Sequence, residues 1–299
     1  EVALADDSPD CVSNSIFQVV GDLQPHCHAP LYGVTVAAHG FVDLEEGVLV
    51  TFPGNPNWEP LPLAEQLSAK VEVPVTLQVR LHAAAIAELH YRAGSVADPL
   101  LYFNSGPGNG FGVGIISGGR LLRGCRGLAG NFGHLVVEPN GRQCFCGSRG
   151  CLVTVASPQA IVTRAKEALA SQVDSAIRGS EPLSFQGIAQ AAQAGDKLAI
   201  QLIEEAGHYL GLGFGYFINA INPSCIVIGG TLASGEKALI SSVKRSARQN
   251  TTSEVFNCIS WELSKVDVNA AALGAAYLTF EPLFEDAIGS SETVKASSD

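Results

Sequence analysis

The sequence has 299 residues, of which 46% are hydrophobic and 16% charged, a composition typical of a compact α/β protein long enough for two domains. Its formal net charge of −11 repels phosphate backbones, which excludes nucleic-acid binding by this chain alone. No apolar run approaches the ~18 residues that a transmembrane helix needs.

The elements predicted for the first third of the chain alternate between helices and strands. A helix over Cys11–Leu23 follows from the spacing of its apolar residues, and Pro25 ends it. β-Branched content and helical periodicity predict the elements that follow: strands at Leu31–Ala38 and Gly47–Phe52, a helix at Pro62–Val71, a strand at Val73–Val79, a helix at His82–Gly94 and a strand from Leu100 to Asn104.

Helices dominate the prediction after residue 152. Ser157 and Pro158 form an N-cap followed by proline, which marks the start of a helix ending at Ala170. Glycines at 211, 213 and 215 within the longest helix indicate close packing of its backbone on a neighbour. The remaining predictions are helices at Leu183–Gln193, Asp196–Asn222, Lys237–Gln249 and Asn269–Leu278, a buried strand at Cys225–Gly230 and an extended segment at Val255–Leu263.

This strand–helix alternation in both halves predicts a two-lobe α/β protein with a cleft between the lobes. We expect an amino-terminal lobe over residues 1–103 and a carboxy-terminal lobe over 104–267. A terminal helix at 268–284 follows, for which a return to the first lobe is one option, and the polar composition of 285–299 predicts a flexible tail.

The eight cysteines indicate a reducing environment and one metal site. Five are scattered singly, which fits a cytoplasmic protein better than a disulfide framework: Cys11, Cys27, Cys125, Cys225 and Cys258. The other three, Cys144, Cys146 and Cys151, follow His134 at a spacing that suits one tetrahedral zinc ion. The alternative is a loop of three reduced, reactive cysteines. We favour structural zinc, because three cysteines within one short loop are not a random scatter.

The same stretch resembles the signature of the ROK family of repressors, open reading frames and sugar kinases. That signature reads Gly-x-Ala-Gly-Glu-x-Gly-His, nine residues, then Cys-x-Cys-Gly-x-x-Gly-Cys-Leu-Glu, and it matches Gly127–Leu152 without a gap. Upstream and downstream segments extend the resemblance over most of the chain, at Tyr32–Asp43, Asn57–Leu63, Val73–Val75, Ile221–Gly230 and Ala272–Leu278.

The resemblance implies an actin-like, hexokinase-type fold of two ribonuclease-H-like lobes with a zinc loop and a sugar in the cleft. Some members of the family phosphorylate hexoses or N-acetyl amino sugars with ATP. Others are repressors in which a winged helix-turn-helix precedes this domain. Family habit also implies a homodimer or homotetramer.

The resemblance argues against kinase chemistry in this chain. The phosphate loop that reads Asp-x-Gly-Gly-Thr near the amino terminus of kinase members is missing, together with the first strands of the lobe. The family's Asn-Asp pair, whose Asp is the catalytic base, falls on Val79 and Arg80. Arginine stays cationic and cannot accept a proton at neutral pH. Arg80 is left with two roles, to bind an anionic ligand such as a sugar phosphate, or to pair with a neighbouring carboxylate.

Two carboxylates that bind sugar hydroxyls in the family are also replaced. Asn131 and Val153 stand where the family has glutamates, so that His134 is the polar sugar contact that clearly remains. Candidates for the effector cleft are therefore Arg80, Asn131, His134 and Val153.

Glycine-rich positions map onto the family's nucleotide contacts. Gly108, Asn109 and Gly110 align with a second phosphate loop, and Gly229 and Gly230 with an adenosine contact. Tight turns after strands account for these glycines equally well.

The leading interpretation is the sugar-sensing and oligomerisation domain of a ROK-type transcriptional regulator without kinase activity. Such a protein would contain structural zinc, need no ATP, bind a sugar or sugar phosphate, contact no membrane, and reach DNA only through an upstream helix-turn-helix outside this chain. The alternatives are a sugar kinase with an altered base and a non-catalytic binding or scaffold protein.

Overall fold

The computed structural model describes residues 6–52, 55, 57–92, 98–106, 110–179, 182–266 and 269–280. The helices in chain order are α1 (Pro9–Leu23), α2 (Leu63–Val71), α3 (Arg80–Tyr91), α4 (Val153–Ala156), α5 (Pro158–Ala170), α6 (Phe185–Gln193), α7 (Lys197–Ile221), α8 (Glu236–Gln249), α9 (Ser253–Phe256) and α10 (residues 270–280). The strands are β1 (Val34–Ala38), β2 (Val42–Asp43), β3 (Val48–Leu49), β4 (Val75–Val79), β5 (Leu100–Ser105), β6 (Phe111–Ser117), β7 (Arg120–Leu121), β8 (Cys225–Gly230) and β9 (Ser260–Leu263).

These elements divide between two compact units. The described residues of Glu1–Arg92, Arg123–Leu128 and Val266–Asp299 form the first unit. Those of Ala93–Leu122 and Ala129–Lys265 form the second. Within the described part of the chain, no helix combines the length and the apolar character needed to span a membrane.

A parallel pair of strands forms the centre of the first unit. β1 and β4 pair in register from Val34 opposite Val75 to Ala38 opposite Val79. Val34 and Val36 pack toward α1 and α2 in an apolar core that contains Leu63. The opposite face of the pair carries Thr35, whose hydroxyl lies 2.7 Å from the Thr279 hydroxyl of α10. Helices therefore cover both faces of this small sheet, as is usual for parallel strands.

α10 packs closely on α3 within the first unit. A Cβ atom on Gly274 would lie 1.7 Å from the carbonyl oxygen of Ala83, a distance that only glycine permits. The helix predicted at Asn269–Leu278 is thus present, and it belongs to the first unit.

The second unit is built on a mixed five-stranded sheet in the order β7-β6-β5-β8-β9. β5 pairs antiparallel with β6 and parallel with β8, so it lies at the centre. Its residues Leu100–Phe103 are at most 1% exposed, and Cys225–Val227 of β8 are fully buried. Continuous apolar runs of this kind are typical of strands that are covered on both faces.

α7 is the longest helix and packs along α8. Asp196 caps its amino terminus by accepting a hydrogen bond from the Ala199 N–H, and Asn222 ends it in the left-handed conformation. A Cβ atom on Gly211 would meet the Val243 carbonyl oxygen at 2.4 Å. The close packing predicted for the glycines of this helix is therefore present, and the neighbour of Gly211 is α8 of the same unit.

Three boundaries differ from prediction. The first segment of the first unit ends at Arg92 rather than at residue 103, because β5 forms its hydrogen bonds with β6 and β8. Val255–Leu263 was predicted to be extended throughout, yet it contains the helical turn α9 before β9. The strand predicted at Gly47–Phe52 is reduced to β3. The tail predicted at 285–299 lies outside the described residues.

Candidate functional site

One turn of 3₁₀-helix, Phe132–His134, holds the imidazole of the predicted metal site. Phe132 is fully buried and anchors the turn among aromatic rings, with Phe214 at 4.8 Å and Phe217 at 5.3 Å between centroids. A Cβ atom on Gly130 would lie 1.7 Å from the Val113 carbonyl oxygen, so the chain before this turn runs directly against β6. His134 is therefore positioned by the core of the second unit.

A tight turn presents the cysteines. The Cys144 N–H donates to the Ser148 carbonyl oxygen at 2.8 Å, and the Gly147 N–H donates to the Cys144 carbonyl oxygen at 3.1 Å. The side-chain amide of Gln143 donates to the carbonyl oxygens of Gly147 and Ser148, at 3.1 and 3.4 Å. These bonds close the loop that carries Cys144 and Cys146.

Backbone pairing brings Cys151 to His134. Val136 and Cys151 form an antiparallel bridge, and the Leu152 N–H donates to the Leu135 carbonyl oxygen at 2.8 Å. Gly150 precedes this point with φ +69°, and a Cβ atom there would lie 1.6 Å from the Glu138 carbonyl oxygen. Only glycine fits at this crossing of the two segments.

The four donor atoms form one compact cluster. His134, Cys144, Cys146 and Cys151 offer ligand atoms that all lie within 4.8 Å of one another. The Cys144 sulfur lies 3.6 Å from His134 Nδ1, and the sulfurs of Cys146 and Cys151 are 3.6 Å apart. A tetrahedral ion about 2.3 Å from each sulfur would separate the sulfurs by about 3.8 Å, so the cluster is close to that geometry.

Burial shifts the pKa values of the candidate ligands. Burial raises the pKa of the Cys151 thiol to about 12, and the neighbouring thiols of Cys146 and Cys144 add to the effect. Burial also lowers the pKa of His134, which keeps its imidazole neutral and able to coordinate. A bound divalent cation would replace the thiol protons, and four protein ligands would close its coordination shell. The cluster can thus hold a metal ion in a structural role.

Asn131 and Val153 take different places beside the cluster. Asn131 is exposed and precedes the 3₁₀ turn, where its carbonyl oxygen accepts the His134 N–H at 3.1 Å. Val153 is 5% exposed and packs with Cys144, Cys151 and Phe111 in a small apolar group. Its side chain therefore covers the cysteines and offers no polar contact.

Arg80 opens α3 at the carboxyl end of β4 in the first unit. Because β1 and β4 are parallel and Ala38 lies opposite Val79, His39 and Arg80 leave the same edge of the sheet. Desolvation by the surrounding protein, together with the charge of Arg80, lowers the pKa of His39 to about 4. The structure thus pairs two groups that can carry positive charge at this edge.

The glycine candidates have structural explanations where they are described. Gly230 has φ +77°, and a Cβ atom there would lie 2.1 Å from the Ser105 carbonyl oxygen of β5. Gly229 faces the Tyr102 hydroxyl at 3.0 Å by the same measure. The Gly110 carbonyl oxygen accepts the Gly106 N–H at 2.9 Å, and Gly108 and Asn109 lie outside the described residues.

Three contributors escape sequence reasoning. Phe145 is 63% exposed and stands edge-on to the His134 ring at 5.0 Å. Gln143 bridges the cysteine turn, and His39 lies beside Arg80. The sequence could have indicated His39, because it directly follows a predicted strand and the carboxyl ends of parallel strands lie at one edge of the sheet.

The fold and the candidate metal cluster define an α/β protein with a Cys₃His loop. Comparison with known proteins identifies its family. A model of the ROK family matches residues 4–281, and the chain belongs to this family. The DNA-binding transcriptional repressor Mlc of Escherichia coli (strain K12) is 30% identical over 278 residues, which cover 92% of this chain and 68% of the repressor.

The similar solved structures include a regulator and a kinase. A ROK family transcriptional regulator, a homologue of the E. coli MLC protein, has a TM-score of 0.81 at 27% identity, covering 93% of this chain and 70% of that chain. A ROK family glucokinase from Streptomyces griseus, in complex with glucose and AMPPNP, has a TM-score of 0.79 at 27% identity, covering 93% and 89%. The predicted actin-like fold of the hexokinase type is thereby confirmed, and the relatives include both regulators and kinases.

Proposed function

We propose that this chain is the sugar-sensing and oligomerisation module of a ROK-type transcriptional regulator and that it has no kinase activity. The proposal depends on one observation, the presence of Arg80 at the carboxyl end of β4, where the family resemblance calls for the catalytic aspartate. Transfer of a phosphoryl group to a sugar needs a carboxylate that accepts the hydroxyl proton. Arginine cannot take that role.

The neighbouring residues of β4 and α3 offer no substitute carboxylate. No aspartate or glutamate occurs between Val73 and Ala87. Glu88, two turns into α3, is fully buried and accepts a hydrogen bond from Arg92 Nε at 2.6 Å. Its carboxylate already forms an ion pair with the Arg92 guanidinium.

In this proposal the metal is zinc, and its role is structural. Three thiolates and one imidazole are the donor set that zinc prefers, and four protein ligands leave no open position for catalysis. The ion stabilises the loop that carries Asn131, which we propose as a contact for the effector. The effector is a sugar or a sugar phosphate, and ATP is not required.

The regulator works in the cytoplasm as a homodimer or homotetramer. Its DNA contacts come from a helix-turn-helix segment upstream of the residues in this chain, because a chain with net charge −11 does not bind a phosphate backbone. The TM-score of 0.81 to a ROK regulator supports this interpretation.

A coupled assay of ADP release tests the absence of kinase activity. Hexoses and N-acetyl amino sugars are offered with MgATP, and we expect no sugar-dependent ADP above the rate of an Arg80→Ala control. Sugar-dependent turnover that the control lacks would refute the proposal. Operator binding by the full gene product, measured with and without each sugar, tests the regulatory half.

The alternative function is a sugar kinase, and the similarity to a glucokinase over 89% of that chain is the observation in its favour. Turnover with one sugar in the ADP assay, together with loss of operator binding by the full gene product, would select it.

A further inference from the structure

Two side chains that can carry positive charge lie side by side where β1 and β4 end. The two strands are parallel, and Ala38 lies opposite Val79 as the last pair of their register. His39 and Arg80 directly follow this pair, and both belong to the first unit. Because neighbouring strands lie about 4.8 Å apart, the backbones of His39 and Arg80 leave the sheet from adjacent points of its carboxyl edge.

α3 adds the amino-terminal end of its helix dipole to the same edge. Arg80 is the first residue of this 12-residue helix. The N-cap residue, Val79, makes no side-chain capping bond, and the first turn of the helix carries no acidic residue. The guanidinium of Arg80 and the positive end of the dipole therefore favour the same sign of ligand charge, which is negative.

No carboxylate of the described residues acts on the imidazole of His39. Desolvation by neighbouring atoms and the charge of Arg80 lower the pKa of His39 to about 4, and no negative group opposes them. A carboxylate within about 4–6 Å would raise that pKa instead. The His39 side chain is exposed and Arg80 is half-buried, so a ligand in solution can reach both.

Acidic side chains that neighbour this edge in the sequence are engaged elsewhere. Glu88 lies two turns further along α3 and accepts a hydrogen bond from Arg92 Nε at 2.6 Å. Asp43 follows β1 by a few residues and accepts two backbone N–H groups of the turn after it, each at 3.1 Å. Neither carboxylate is therefore in place to neutralise the edge.

We infer that the ligand of this chain is an anionic sugar, either a phosphate monoester or a sugar acid, whose anionic group binds between Arg80 and His39. The planar fork of an arginine matches two oxygens of a phosphate or a carboxylate. An imidazole N–H donates a further hydrogen bond to the same group. The inference rests on the proposed function, because it names the class of effector that the regulator would bind and sets neutral sugars aside.

Calorimetric titration compares anionic sugars with their neutral parents. Hexoses and N-acetyl amino sugars are titrated beside their 6-phosphates, their 1-phosphates and the hexuronic acids. We expect at least one anionic member to bind at least about 10-fold more tightly than its neutral parent, because charge-assisted hydrogen bonds are the strong ones. Neutral parents that bind as tightly as their anionic forms would overturn the inference, and so would a panel without any anionic binder.

A matched pair of arginine variants assigns the anion to its site. Arg80→Gln should weaken the anionic sugar by about 10- to 100-fold, since it removes a bidentate, charged partner. Arg126→Gln removes the same charge from an exposed arginine of the same unit and should leave the affinity unchanged. His39→Gln should weaken binding by about 3- to 10-fold, as expected for one hydrogen bond. Equal affinities of Arg80→Gln and wild type would refute the site, provided that thermal melts show both proteins folded.

The imidazole of His39 reports the anion independently of affinity. In NMR titrations the bound anion should raise the pKa of His39 from about 4 toward its ordinary value, because a negative neighbour stabilises the imidazolium ion. Free and loaded forms of each protein are compared, since Arg80→Gln alone already removes a repulsion. The resonance of His26, an exposed histidine of the same unit, should not respond. An unchanged His39 resonance in the loaded protein would overturn the inference.

Operator binding by the full gene product separates this inference from the proposed function. An anionic sugar that binds through Arg80 but leaves the operator affinity unchanged would refute the regulator and leave the anion site in place. A change of operator affinity with neutral sugars alone would refute the anion site and leave the regulator in place.

Discussion

His39 and Arg80 are 41 positions apart in the sequence and adjacent in the fold. The register of β1 with β4 places them side by side, and the charge of Arg80 adds to desolvation in lowering the pKa of His39 to about 4. An aspartate at position 80 would raise that pKa, because a negative neighbour stabilises the imidazolium ion. Replacement of Arg80 by aspartate would therefore change the protonation of a second residue.

His39 should make the stability of the protein depend on pH. Its folded pKa of about 4 lies below the usual 6.5, so the unfolded chain binds a proton first. Its contribution is complete above pH 6.5 and falls as the pH drops toward 4. Because the His39 side chain is exposed to solvent, the effect is smaller than the pKa shift implies, and we expect a loss of at most about 1 kcal/mol at pH 5.

Thermal melts at pH 7 and pH 5 measure the effect. His39→Gln should show a smaller fall in melting temperature than wild type, whereas His26→Gln, at an exposed histidine of the same unit, should match wild type. An equal fall in all three proteins would contradict the prediction.

Cys151 is the most buried of the candidate metal ligands at 0% exposure. Cys151→Ser should abolish binding of one equivalent of zinc and destabilise the protein by at least about 2 kcal/mol, because the loop loses its cross-link. Cys125→Ser changes an exposed cysteine outside the cluster and should leave both properties intact. Metal content and urea unfolding measure the two effects, and wild-type zinc content in Cys151→Ser would exclude the site.

At the scale of single elements, the contact of α7 with α8 depends on glycines, which have no side chain. Gly207 and Gly211 face α8, where a Cβ atom on either would approach Ser242 or Ser246 at 2.5 Å. The two helices come closer than ordinary side chains permit. The contact gains its specificity from shape, because no larger residue fits.

A matched pair of alanine substitutions separates helix propensity from packing. Gly21→Ala in α1 meets nothing within 4 Å and should stabilise the protein by about 0.5–1 kcal/mol. Gly211→Ala gains the same propensity but meets the Val243 carbonyl oxygen at 2.4 Å, so it should destabilise by about 1–3 kcal/mol. Chemical denaturation measures both, and a stabilised Gly211→Ala would show that α8 shifts without cost.

Local signals predicted the helices well. Ser157 accepts the Ala160 N–H at the start of α5, and Asp196 caps α7, as expected from the capping preferences of these residues. β6 spans Phe111–Ser117, a glycine-containing stretch for which no element was predicted. Pairing with β5 overrides the low strand propensity of glycine, and such a tertiary effect is invisible in a single sequence.

The candidate site was predictable to the extent that its parts are close in sequence. His134 and the three cysteines occupy one loop, so spacing alone was sufficient to predict the cluster that the structure shows. His39 meets Arg80 only through strand register, and Val153 meets Cys144 only through packing. Contacts of that kind need the fold before they can be assigned.

At the scale of the whole molecule, the metal loop belongs to the second unit and should stabilise it. Verified removal of the metal by a chelator should lower the melting temperature, because the free energy of binding adds to that of folding. Return of one equivalent of zinc should restore it. An unchanged melt after metal analysis shows complete removal would contradict a structural role.

The two units also differ in how far their contacts reach along the chain. Thr35 of β1 meets Thr279 of α10, so the first unit joins both ends of the described sequence. β5 and β8 pair across the whole span from Leu100 to Gly230. Both contacts have high loop-closure entropy to overcome.

The metal loop forms from residues that are close together in the sequence. All four of its ligands are present once residue 151 has been synthesised, before α5 to α8 exist, and the short loop closes at low entropic cost. The ribosome adds about 5–20 residues per second, so a metal ion would have several seconds to bind before β8 emerges. The loop can therefore be the first ordered part of its unit during translation, a template on which the aromatic rings around Phe132 later assemble.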